Sequence, residues 1–464
     1  MISKKTLPQK RTLDGIALAA FIAMMMLFGG ASRTDALTQP VIFAFAAVAI
    51  GYSVVLRPHG LGRLRPIGVL LAALVGTMVL QLIPLPPAIW SLFPAGSLIS
   101  RIDAAAGLGE VWRPLSIMPD ATLTALFSCA VPIATLLLCA GTDTKSYRLP
   151  IAALLAVGIL GLAIGLMQVT AGAPYFFRFT NEGALVGLFA NRNHCAVFLA
   201  VLPALAAPLF FEARDKLQRR EFLYAGGFGA LLIVAFCVVM TGSRIGLVVL
   251  LFELAGIAAL AWMTQARSPG RVRKDPNRKI KIAAIASSLV IIVFFIVAMS
   301  MEKGSAIQRF LATDIRHEGR VEVLGSLLSL LQHALPSGFG FGTFDRAYRV
   351  YEPFESLDLS YLNHAHNDLI EICIEAGFLG VALVGALLAI VIVDSWRVWR
   401  AGRRPFSYSM ALARSGSLVA GGLLIASLSD YPLRTPALAT LLTLALVWLR
   451  TWNDQPAVAR PATG

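Results

Sequence analysis

The chain has 464 residues, of which 57% are hydrophobic and only 14% charged, with a formal net charge of +14. Soluble domains are about half apolar and a quarter charged, so both departures exclude an ordinary soluble fold and leave one membrane domain over residues 1–464. The basic excess would suit nucleic acid, but its distribution along the chain, given below, excludes that partner.

A helix needs roughly 20 apolar residues to cross a bilayer core. Runs of that length predict spans at 14–31, 39–56, 66–84, 121–141, 150–170 and 190–210. Six more fall at 223–240, 245–264, 282–300, 369–392, 412–429 and 433–450, the pair at 223–264 being split only by Thr241-Gly242-Ser243-Arg244. The expected fold is all-α, a polytopic membrane bundle of about twelve transmembrane helices. Cys129, Cys139, Cys195, Cys237 and Cys373 stand singly in or beside these runs, without a Cys-x-x-Cys pair. They read as small packing residues, not as a disulfide framework or zinc site.

With the N-terminus placed in the cytoplasm, 27 of the 40 lysines and arginines fall on the inner side of these spans. The bias repeats from loop to loop, which predicts both termini inside. The net charge is therefore mostly a topology signal, and residues 265–281 read as a basic cytoplasmic linker. The first apolar run resembles a signal peptide; cleavage near Ala31 would leave every later loop on the same side.

Two outer segments are too long to be turns. Residues 85–120 carry Pro86, Pro87, Trp90, Trp112 and Pro114 and are expected along the interface. Residues 301–368 form the longest polar stretch, in which Val321, Leu324, Leu328 and Leu331 recur at helical spacing and predict a short amphipathic helix on the membrane or bundle.

Polar residues gather at the outer ends of several spans. Asn191-Arg192-Asn193-His194 opens the sixth and Arg244 lies in the turn before the eighth. Arg316, His317, Arg320 and then Asn363-His364-Ala365-His366-Asn367-Asp368 precede the tenth, and Asp430 and Arg434 bracket the last outer turn. A single arginine at a span end commonly snorkels to headgroups. Arg192 and Arg244 are less easily dismissed, because Asn191, Asn193, His194, Thr241 and Ser243 beside them also need partners. Paired guanidinium groups match pyrophosphate oxygens, and on a leaving group they would stabilise charge that develops in the transition state. An imidazole, with an ordinary pKa of about 6.5, can take the proton of an acceptor hydroxyl.

Other motifs read more plainly. Gly338-Phe339-Gly340-Phe341-Gly342 has no preceding strand and is expected to be a flexible turn, not a phosphate loop. His364 and His366 with Asp368 could ligate a metal, but the two histidines, at i and i+2 just before a helix, lack a clear third and fourth ligand, so no metal and no cofactor is expected. Glu253, deep in the eighth span, is a candidate proton carrier whose plainer role is an interhelical hydrogen bond in its neutral form. His59 and His333 read as surface histidines.

At these residues the chain resembles the bacterial O-antigen ligase and polysaccharide polymerase family. The resemblance runs across most of the sequence. It includes Pro114-Leu115-Ser116, Leu188-Phe-Ala-Asn-Arg-Asn-His194, Thr241-Gly-Ser-Arg244, Arg320 and Pro336-Ser-Gly-Phe-Gly-Phe-Gly-Thr-Phe344. His364-Ala-His-Asn-Asp-Leu369 continuing into Glu375-Ala-Gly-Phe-Leu-Gly380 is its most specific piece, and Ser429-Asp-Tyr-Pro-Leu-Arg434 adds another. The resemblance implies an inverting, metal-independent glycosyltransferase of the inner membrane. It would move a glycan from an undecaprenyl-pyrophosphate carrier to a glycan or lipid A-core acceptor at the periplasmic face. It implies that Arg192 and Arg244 hold the pyrophosphate and that His366 is the general base, with His364 as competitor. Asn193, His194, Arg320, His364, Asn367, Asp368, Asp430 and Arg434 are expected to bind substrate. Polymerase, ligase and protein O-oligosaccharyltransferase remain open. The alternative from another class is a transporter of small anions, of the kind labelled bicarbonate transporters; transporters tend to place polar sites at the bilayer midplane.

Overall fold

The computed structural model of the chain describes residues 7–33, 37–94, 96–172, 174–178, 180–217, 220–264, 320–352, 354, 362–402 and 406–454. Among them the chain is helical, with a single isolated bridge between Leu85 and Arg113. Each apolar run satisfies its backbone polar groups within its own segment, as a bilayer demands. The helices, in order, are α1 (Leu7–Phe28), α2 (Gln39–Gly51), α3 (Arg65–Leu82), α4 (Pro87–Trp90), α5 (Gly96–Ala105), α6 (Pro119–Ser128), α7 (Ala130–Gly141) and α8 (Arg148–Ala171). They continue with α9 (Arg192–Lys216), α10 (Arg220–Met240), α11 (Arg244–Met263), α12 (Arg320–Ala334), α13 (Phe344–Tyr351), α14 (Asp368–Arg400), α15 (Tyr408–Ser427) and α16 (Pro436–Leu449).

Among the described residues nine candidate spans are at least 18 residues long, and 13–28 and 436–449 are shorter apolar helices. These cover eleven of the twelve predicted spans; the predicted span at 282–300, the linker at 265–281, Arg316 and His317 lie outside the described residues. α9 and α15 form the centre of the bundle, with 78% and 89% of their apolar windows buried against 17% for α10. Their contact with α11 is close because small residues meet there. A Cβ on Gly246 of α11 would stand 2.4 Å from that of Ala196 of α9.

Side chains open the helices that begin at one end of the bundle. Asn191 Oδ1 accepts from the Asn193 amide at 2.8 Å at the start of α9, and Ser243 Oγ accepts from Gly246 at 3.1 Å at the start of α11. Asn367 Oδ1 accepts from Leu369 and Ile370, both at 3.0 Å, at the start of α14. These are N-caps, and they account for part of the polar clustering read from the sequence. At the opposite end carboxylates bind arginines: Asp14 with Arg57, Glu212 with Arg148 at 2.6 Å, and Asp394 with Arg450 at 2.7 Å.

Three local readings change. α12 exists, but it buries Leu327, Leu330 and Ala334, while Leu324 and Leu328 of the expected face are 44% and 48% exposed. The glycine motif is no loose turn: Phe339 and Phe341 are buried, and the loop wraps the N-terminal part of α14. Gly340 and Phe339 donate to the carbonyls of Glu375 and Ile374, Phe341 donates to Gln81 Oε1, and Gly342 donates to Glu375 Oε1. Its amides are thus committed to protein acceptors, which a phosphate cradle could not allow. Glu253 is fully buried on α11 against Gly422 of α15, and the expected interhelical hydrogen bond is not formed among the described residues, where neither of its oxygens has a partner.

Candidate active site

The capped starts of α9 and α14 converge on the turn between α15 and α16. Asn193, in the first turn of α9, donates its side-chain amide to Asp430 Oδ2. Asn367, before α14, donates to the Leu428 carbonyl at 3.0 Å. Arg192 and Arg244 are the first residues of α9 and α11, two helices that start at the same end and touch within their first turns. Both arginines are half-buried. Two helix N-termini, each beginning with a guanidinium-bearing residue, therefore sit side by side and favour an anion.

Asp430 is fully buried, and its Oδ1 lies 3.7 Å from His194 Nε2 and 3.6 Å from His366 Nδ1. Both separations are slightly beyond hydrogen-bond reach, as catalytic contacts often are before substrate binds. Burial opposes ionisation of Asp430, but the two imidazoles outweigh it and hold the carboxyl well below the usual carboxylate range. His364 makes the shorter pairing, with Nδ1 at 2.8 Å from Glu371 Oε1, and Glu371 Oε2 also accepts from the Ala365 amide at 2.8 Å. A carboxylate can only accept, so in the His364–Glu371 hydrogen bond Nδ1 is the donor, whereas His366 Nδ1 faces Asp430 without a hydrogen bond. His194 is buried, whereas His364 and His366 are partly exposed. His366 is also the one described non-glycine residue with positive φ, at 48°. A side chain in that region costs about 1–2 kcal/mol and persists only where its surroundings hold it.

Tyr431 stands among the three rings. Its centroid is 4.2 Å from that of His364, 5.0 Å from His366 and 5.1 Å from His194. Burial pushes its hydroxyl up to about 12.

Behind this layer, Asp368, Glu371 and Glu375 occupy one face of α14 and converge on Arg434. The guanidinium lies 3.8, 3.3 and 2.7 Å from them respectively. Burial disfavours the Arg434 cation, but the three carboxylates more than compensate and raise its pKa. Asp368 Oδ2 also accepts from Ser427 Oγ at 2.9 Å and from the Leu433 amide at 3.0 Å. Arg434 and Asp368, expected to bind substrate, thus have protein partners in a buried network. His364, His366 and Asp368 face Glu371, Asp430 and Ser427 respectively, and so do not point at a common metal position. Arg320 opens α12, and its side chain lies outside the described residues.

Sequence reasoning gave no role to Glu371, Glu375 or Tyr431. The spacing 368, 371, 375 puts three carboxylates on one stripe of an otherwise apolar helix, a signal that a cation must face them. Gln81 of α3 was also passed over: its side chain donates to the Glu375 carbonyl at 2.8 Å and fastens the glycine loop to α14. Ser116, within the Pro-Leu-Ser motif, joins the same frame through Thr122, which donates to the Phe341 carbonyl at 2.8 Å.

No curated protein matches the chain closely enough to report. Residues 229–385, which run from α10 through Arg244, both partly exposed imidazoles and the carboxylate stripe into α14, match the model of the O-antigen ligase family.

Proposed function

We propose that the protein is a glycosyltransferase that moves a glycan from a polyprenyl-pyrophosphate carrier, undecaprenyl pyrophosphate, to a hydroxyl of an acceptor glycan at the periplasmic face of the inner membrane. The observation that carries this reading is the pairing of two carboxylate-held imidazoles with the adjoining, arginine-bearing starts of α9 and α11. The family match supports glycan transfer of the ligase or polymerase type.

The acceptor oxygen attacks the anomeric carbon as its proton passes to Nε2 of His366, whose imidazolium Asp430 then stabilises. The bond from that carbon to the pyrophosphate oxygen breaks, and the carrier leaves with the electron pair. Arg192, Arg244 and the two helix N-termini meet the charge that develops on it. Attack opposite the leaving group inverts the anomeric centre. No residue in this sequence of steps requires a metal. His364, held by Glu371, is the competing base. A lipid-borne donor also suits a compartment without nucleotide supply.

Purified protein in liposomes with a lipid-linked glycan should extend one of several offered acceptors, a sugar-terminated lipid A core, a free oligosaccharide or a protein, and release polyprenyl pyrophosphate. Added chelator should leave the rate unchanged. Intact donor with every acceptor, beside a positive control enzyme, would end this reading. The transport alternative would rest on Glu253, but that carboxyl is fully buried against Gly422 of α15.

A further inference from the structure

The imidazoles have a partner besides their carboxylates. Tyr431 is 8% exposed, and its ring lies against His364 at 4.2 Å with an interplanar angle of 33°, a tilted ring contact. It meets His366 and His194 more steeply, at 62° and 89°. Its backbone amide donates at 2.9 Å to Asp430 Oδ1, the same oxygen that faces His194 and His366. One residue therefore fixes the carboxylate through its main chain and walls the imidazoles with its side chain. Because burial keeps the hydroxyl neutral, the His364 imidazole lies along a neutral aromatic ring and not a phenolate, with the other two imidazoles in T-shaped contact with it.

We infer that Tyr431 is a positioning residue for the transfer, its ring face setting the orientation and basicity of the paired imidazoles. This rests on the glycan-transfer reading for its consequence, but not for its physical content. An aromatic face carries negative quadrupole density and attracts an adjacent cation. The imidazolium formed when a base takes the acceptor proton is such a cation, so the ring favours the protonated product of that step. The other charged groups around the imidazoles are Asp430 from the turn between α15 and α16, Glu371 from α14 with Arg434 behind it, and Arg192, two residues before His194 at the start of α9. All of them remain when only the ring changes.

Three substitutions separate shape from electrostatics: Tyr431→Phe keeps the ring, Tyr431→Leu removes it, and a trifluorinated phenylalanine at the same position keeps the shape while depleting the face of negative charge. Two readouts serve: the pH profile of kcat and kcat/KM, and the titration of ¹³C-labelled imidazoles in the full-length protein without donor, assigned with His364→Ala and His366→Ala. Tyr431→Phe should follow the unaltered protein in both. The leucine and trifluoro variants should move the imidazole midpoint and the acidic limb to lower pH by roughly 0.4 to 1.5 units, with kcat reduced and KM little changed. If the leucine variant does not fold, the trifluoro variant alone decides. Unmoved imidazole midpoints in the trifluoro variant overturn the inference, even where transfer proceeds. Moved midpoints in a protein that transfers no glycan sustain the ring's effect and refute the function instead.

Discussion

The two ends of the bundle use the same carboxylates in opposite ways. At the end away from the site, Asp14, Glu212 and Asp394 each bind an arginine, a base that keeps its proton under any physiological condition. At the site end, Asp430 and Glu371 face imidazoles, which gain and lose protons near neutrality. The first arrangement fastens helices together; the second holds a movable proton in place. Arg434 combines the two, since it is a permanent cation that anchors Glu371, and Glu371 in turn orients His364.

That contrast can be broken by substitution. His366→Ala should lower transfer by about 10²–10⁴-fold while leaving the protein inserted and abundant, as measured by product formation per mole of folded enzyme. A similar loss in His364→Ala alone, with His366→Ala active, would move the base to the other pair. Arg192→Ala and Arg244→Ala should each cost about 10²–10³-fold in kcat, the scale of losing one donor to a developing oxyanion. Arg434→Ala acts first on the fold. It leaves three buried carboxylates without a counter-ion, at a cost of about 3–5 kcal/mol visible as a lower melting temperature in detergent, and Arg434→Lys should recover only part of it. At the other end, Asp394→Asn should leave transfer untouched and cost stability on the order of 1 kcal/mol.

The acid response sharpens the same comparison. Folding depresses the Asp430 pKa, so its carboxylate adds stability that is full above the ordinary aspartate range and is lost as pH falls through its lower folded value. The difference in melting temperature between the unaltered protein and Asp430→Asn should therefore still be present at about pH 5 and shrink below about 4. Transfer should fail at a higher pH than this, as the imidazoles gain protons. A stability difference that already vanishes near pH 6 would contradict the depressed pKa.

The architecture was legible in run length alone. Span predictions at 150–170 and 369–392 fall within α8 and α14, because twenty apolar residues leave few alternatives in a bilayer. The constellation was legible as polar residues at span ends, and His194, His366, Asn193 and Asp430 do meet. What was hidden is pairing. Arg434 reads as a ligand until Asp368, Glu371 and Glu375 are seen around it. The buried face of α12 was hidden too, because leucines at 324, 327, 328, 330 and 331 surround the helix and periodicity selects no side. The glycine loop seemed loose because its partners, Gln81 and Glu375, lie far away in sequence.

One last feature bears on how the enzyme meets its lipid environment. α14 is interrupted at Gly377, with φ 58° and ψ −135°, and Phe378 there donates to the Pro336 carbonyl. The short stub bearing Asp368, Glu371 and Glu375 is sewn to the glycine loop and to Arg434, and the apolar rod continues below the joint. A helix adjusts to bilayer thickness mainly by tilting. Here the joint lets the rod take its own tilt, held at the far end by Asp394 with Arg450, without tilting the stub that carries the carboxylates.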